Sequence, residues 1–166
     1  MLSLLIKIDQ AIARAESWML VLFAAFISII LISQVVLRYL FSNPLFWAEE
    51  ISTTLLVFMT FIGLSLLVHD RRLINLMFVL DSLPATVARV INIILDILVI
   101  LTLSCLFYYS LVWVSNPITQ TETSATLKVP LWYIYAVLPG TLLLMIFHYI
   151  VASLKSVFSK PREKSE

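Results

Sequence analysis

The chain has 166 residues, of which 61% are hydrophobic and 13% charged, with a formal net charge of +1. A soluble domain carries about 25% charged residues, so this composition excludes an ordinary soluble globule. A single cysteine, Cys105, excludes an intrachain disulfide, and the near-neutral balance gives no reason to expect a nucleic-acid partner.

Taken in order, the first 16 residues form a two-faced segment. Met1, Leu5, Ile8 and Ile12 recur at 4-3-4 spacing, and Ser3, Lys7, Gln10 and Arg14 recur on the other side. This pattern predicts an amphipathic helix over residues 1–16 that lies in the membrane interface. Four apolar stretches follow, at Ser17–Leu37, Ile51–Val68, Val90–Val114 and Leu131–Leu154. About 20 helical residues cross a hydrocarbon core of about 30 Å. In lipid every backbone polar group has to be satisfied within its own segment, which selects helices. The expected fold is therefore an all-α integral membrane protein, with a four-helix membrane domain over 17–154 and a tail over 155–166. The first stretch resembles a signal peptide in its basic flank. Its apolar run is longer than such peptides carry and no A-x-A-like site follows, so a retained helix is expected.

The first outer loop, residues 38–50, carries Arg38-Tyr39-Leu40-Phe41 and then Trp47-Ala48-Glu49-Glu50. Acidic residues at a helix start complement its dipole, and an Arg38–carboxylate link would fix how spans one and two meet. In span two, Glu49, Thr53, Thr60 and Gly63 fall near one face and read as a packing seam. The segment 69–86 opens with charge and continues as an apolar run too short to cross. It reads as a tilted continuation of span two or a surface helix, closed by Asp81-Ser82-Leu83-Pro84. Span three places Arg89, Asn92 and Asp96 on one face. Asp96 is the one acidic or basic side chain inside the four stretches. It reads as part of a polar seam toward another helix, with an ion or proton site as the alternative. Before span four runs Thr126-Leu127-Lys128-Val129-Pro130-Leu131-Trp132-Tyr133, and Pro139-Gly140 invites a bend. Trp18, Trp47, Trp113, Trp132 and Tyr133 sit near span ends, as interface anchors do.

Nine of the eleven Lys and Arg residues fall before span one, between spans two and three, and after span four. The other two, Arg38 and Lys128, lie in the remaining loops. This asymmetry predicts cytoplasmic termini. Chemistry is sparse. His69 and His148 flank different spans and read as structural or interfacial. No Cys or His pair has metal-ligand spacing in the sequence, no phosphate loop exists, and no base accompanies a nucleophile. No catalytic residue, cofactor or metal is expected.

With these residues in view, the chain resembles the small membrane subunit (DctQ-like, Q subunit) of a tripartite ATP-independent periplasmic, or TRAP, transporter. The resemblance rests on Arg38, Tyr39, Phe41, Trp47, Glu49 and Glu50 across the first loop. A second stretch adds Leu127, Val129, Pro130, Trp132, Tyr135 and Pro139. The chain departs from the family pattern in having Ser124-Ala125-Thr126 where a Pro often precedes Leu127, and in Gly140 directly following Pro139. The resemblance implies a sodium-coupled system for organic acids such as dicarboxylates or sialic acids. A periplasmic substrate-binding protein captures the substrate, a large elevator-type subunit moves it, and the small subunit acts as scaffold and docking surface in the bacterial inner membrane. It implies no enzymatic activity. Two other classes remain open on the residues alone: a four-helix membrane enzyme using glutathione, held by Arg71, Arg72 and Arg89, and a small self-assembling exporter relying on Asp96.

Overall fold

The computed structural model describes residues 2–43, 45–70 and 85–158. Six helices make up these residues: α1 (Leu2–Leu40), α2 (Phe46–His69), α3 (Ala85–Val114), α4 (Pro117–Thr121), α5 (Trp132–Tyr135) and α6 (Val137–Phe158). Four segments are long and apolar enough to cross a membrane: Ser3–Leu40, Phe46–His69, Val90–Val114 and Trp132–Lys155. The expectations for 71–84, including Arg71 and Arg72, and for 159–166 lie outside the described residues, as does the side chain of Arg89.

α1 is continuous, with no break at residue 16. At 1.5 Å per residue its 39 residues extend about 58 Å, well beyond a hydrocarbon core of about 30 Å. The amphipathic segment is therefore the first turns of the spanning helix. Its buried stripe is Asp9, Ala13 and Glu16, while Ile8, on the expected apolar face, is 42% exposed. Charge pairing decides this orientation, because Asp9 and Glu16 meet basic groups of α6. Several serines and threonines within the spans satisfy themselves locally, whereas the buried Ser52 and Ser65 hydroxyls of α2 have no hydrogen-bond partner among the described residues. Ser28, Thr60 and Thr102 each donate to the carbonyl four residues back, at 2.8–2.9 Å.

α6 is the hub of the bundle and packs on α1, α2 and α3, while α1 also packs on α2. The core gathers Val68 of α2 and Leu142, Met145 and Tyr149 of α6, with Val99, Ile100, Leu103 and Phe107 of α3 against them. Phe23 and Phe58 meet at 6.2 Å between α1 and α2. The outward faces of α1 and α3 remain apolar and exposed, at Val21, Phe26, Ile29 and Ile32 and at Ile93, Ile97 and Leu101.

The segment into the last span is interrupted earlier than Pro139. α5 ends at Tyr135 with Ala136 as its C-cap, and α6 restarts at Val137 with Pro139 in its first turn, where a missing N–H is tolerated. The loop between α4 and α5, expected to face outward, is a small closed turn. Ser124 N–H donates to Val129 O at 2.9 Å, Leu131 N–H to Glu122 O at 3.0 Å, and Ser124 Oγ accepts Leu127 N–H at 3.0 Å. Asn116 caps α4 by accepting Ile118 N–H at 3.0 Å.

Candidate functional site

Polar chemistry collects in three places: the end of the bundle expected to face outward, the groove between α2 and α3, and the opposite end, where α1 begins and α2 and α6 finish.

At the end expected to face outward, α1 and α2 are tied by Gln34, whose Nε2 donates to Glu49 Oε1 at 3.2 Å. Arg38, in the last turn of α1, is exposed and forms no ion pair among the described residues. The link expected of Arg38 is thus made one helical turn earlier, by an amide. Glu50 reaches across to the loop between α4 and α5 and accepts Thr126 N–H at 3.1 Å, a contact 76 residues distant in sequence. Its carboxylate also accepts from Ser124, which is 2% exposed. A charged acceptor strengthens a bond from backbone N–H, so Glu50 pins the loop that leads through Pro130 and Trp132 into the last span. Pro130 pairs with Thr123 in an isolated antiparallel bridge. Trp132 stacks on Tyr133 at 3.8 Å, and Tyr135 meets Trp113 of α3 at 4.5 Å. Trp47 is 40% exposed in the first turn of α2.

In the groove, Asp96 Oδ1 accepts the Tyr149 hydroxyl at 2.7 Å, across from α3 to α6. Asn92, one turn earlier, lines the same groove, which has a volume of about 730 Å³ and otherwise apolar walls including Phe61, Leu64 and Leu142. The seam of Thr60 and Gly63 lies elsewhere. Thr60 is exposed, and a Cβ built on Gly63 meets nothing within 4 Å. The close approach that Gly63 permits is therefore not used among the described residues.

The opposite end holds a cluster that sequence spacing missed. His148 Nδ1 lies 2.7 Å from Asp9 Oδ1, His69 Nε2 lies 3.2 Å from Asp9 Oδ2, and Lys155 Nζ donates to Asp9 Oδ2 at 2.9 Å. Glu16 Oε2 lies 3.3 Å from His148 Nε2. Asp9, Glu16 and His148 are at most 3% exposed. Asp9, His69 and His148 offer ligand atoms within 4.8 Å of one another, which revises the expectation that the histidines lack ligand-like company. Three helices supply these residues, so no local spacing reveals them. The available signal was the 4-3 interval of Asp9, Ala13 and Glu16 together with the shared end of the two histidines.

Comparison with known proteins places this architecture. Residues 27–159 match the family model described as tripartite ATP-independent periplasmic transporters, DctQ component. A similar protein is the ectoine TRAP transporter small permease protein TeaB of Halomonas elongata, 24% identical over 92% of this chain and 79% of that protein. Another is the sialic acid TRAP transporter permease protein SiaT of Haemophilus influenzae, 25% identical over 85% of this chain but only 23% of SiaT. That family is one of transport proteins and not of enzymes. The match spans most of the four-helix domain, and the chain belongs to the DctQ component family, the small permease subunits of TRAP transporters.

Proposed function

We propose that this small permease subunit is the fixed scaffold for a large, elevator-type membrane subunit in a sodium-coupled uptake system for organic acids. In this reading both termini are cytoplasmic, the protein sits in the inner membrane, and the outer end helps dock a periplasmic substrate-binding protein. The observation that carries the scaffold role is the pair of wide apolar faces on α1 and α3, together with the unpacked Thr60–Gly63 seam. Lipid covers such faces as well as protein does. The unused small-residue approach at Gly63 favours a helix, because close backbone contact is what glycine contributes in a bilayer.

The docking role is supported by the way Glu50 holds the 122–131 loop against α2, which presents Glu49, Trp47 and Arg38 on a firm surface. The relatives' names support a transport function and mention ectoine for one and sialic acid for the other. For this chain the substrate is proposed only as an organic acid.

Co-purification tests the reading. This chain and the large subunit, co-expressed, should leave mild detergent as one complex, and sodium-gradient uptake in proteoliposomes should need both along with the binding protein. Full uptake by the large subunit without this chain refutes the scaffold role.

A further inference from the structure

We propose that Asp9, His69 and His148 form a binding site for a divalent transition cation of the zinc class, with Asp70 and Glu16 orienting the two imidazoles. The donor set is two imidazoles and a carboxylate, which suits zinc and its neighbours and not the hard cations that take oxygen alone. Around a tetrahedral ion with bonds of about 2.0–2.1 Å, neighbouring ligand atoms stand about 3.3 Å apart. His69 Nε2 and Asp9 Oδ2 already stand at 3.2 Å. His148 Nδ1 and Asp9 Oδ1, at 2.7 Å, are at hydrogen-bond length and need to open by a fraction of an ångström.

The far nitrogen of each ring faces a second carboxylate. His69 Nδ1 lies 3.1 Å from Asp70 Oδ1, and His148 Nε2 lies 3.3 Å from Glu16 Oε2. Without a metal, His148 Nδ1–H donates to Asp9; a carboxylate behind each histidine holds the N–H of the far nitrogen, so loss of the near proton frees a lone pair for a cation on the Asp9 side. This is the usual outer arrangement of metal-bound histidines.

Glu16 provides an independent sign. Glu16 is 3% exposed, and among the described residues its carboxylate meets only His148 Nε2, at an ion-pair distance of 3.3 Å that falls short of a well-formed hydrogen bond. A buried carboxylate in that condition is costly. A cation on His148 Nδ1 makes the Nε2–H a stronger donor and draws it onto Glu16. The Lys155 ammonium now neutralises Asp9, and it belongs to a residue exposed enough to swing into solvent when a metal enters. A bound ion then joins α1, α2 and α6 at one point.

The full chain, prepared without a polyhistidine tag in mild detergent and stripped with chelator, is titrated with Co²⁺ while visible absorption is read. Saturation at one equivalent is expected, with the strong bands of tetrahedral Co²⁺ and displacement by Zn²⁺. His69→Gln changes a partly exposed side chain and should weaken binding by at least tenfold, with helix content and monodispersity unchanged. Asp70→Asn should weaken it by about tenfold to a hundredfold, the range for an orienting partner. Lys155→Gln should tighten it, a gain that misfolding does not produce. Absence of saturable one-equivalent binding overturns the site and leaves a hydrogen-bonded charge network. Equal affinity in His69→Gln, or no gain in Lys155→Gln, overturns the assigned geometry.

Discussion

Asp96 and Tyr149 illustrate how a single charge is kept in an apolar span. The Tyr149 hydroxyl donates to the Asp96 carboxylate at 2.7 Å, and Tyr149 is 7% exposed. Tyr149→Phe removes that donor and should cost about 1–3 kcal/mol, the penalty for a buried acceptor that loses its partner. Asp96→Asn keeps an acceptor oxygen in place and should cost less. Thermal unfolding of the two variants in detergent gives the order. In the assembled transporter Asp96→Asn is also expected to leave sodium dependence unchanged, and an altered sodium response would make Asp96 an ion ligand. Asp96 was legible in the sequence because a lone carboxylate stands out in an apolar run. Its partner was not, since Tyr149 lies 53 residues away and looks like any other aromatic of the last span. Likewise His148 and Asp9 are separated by 139 residues, and only the 4-3 interval of Asp9 and Glu16 and the shared end of the two histidines hint at their meeting.

Among the elements, the loop between α4 and α5 depends on one side chain of another helix. Glu50→Ala removes the acceptor of Thr126 N–H and should loosen residues 122–131, read as faster amide exchange there with α2 unaffected. Complex formation with the binding protein should fall more in Glu49→Ala/Glu50→Ala than in Arg38→Ala. Arg38 makes no ion pair here, and its loss should change the chain's own stability by no more than about 0.5 kcal/mol. Lys128 holds φ at 56° in the same loop, a left-handed conformation that costs an L residue about 1–2 kcal/mol. Lys128→Gly is expected to raise the melting temperature slightly; a decrease would mean that the lysine makes a stabilising contact. The four long helices were legible because apolar length is a strong signal. Their ends were less so. α2 begins at Phe46, not at residue 51, because Trp47-Ala48-Glu49-Glu50 is a sound first turn despite its polarity. α6 begins at Val137 because α5 takes up Trp132–Tyr135.

At the scale of the whole molecule, topology and assembly follow from α6. Reporter fusions at the C-terminus and within residues 116–128 should report opposite sides of the membrane, and the same side for both would contradict a four-span chain. α6 touches each of the other three spans, whereas α3 reaches the bundle chiefly through α6. During synthesis α1, α2 and α3 leave the ribosome before their common partner exists. Until then Asp9 and Glu16 have no His148 or Lys155, and Asp96 has no Tyr149. A nascent chain stalled before residue 137 therefore carries Glu16 and Asp96 without these partners and Asp9 with His69 alone, in or beside lipid, the kind of surface that membrane quality control removes. Insertion of α6 supplies these partners together, so pulse-chase lifetimes of chains stalled before and after residue 158 are expected to differ, the longer chain being the more durable.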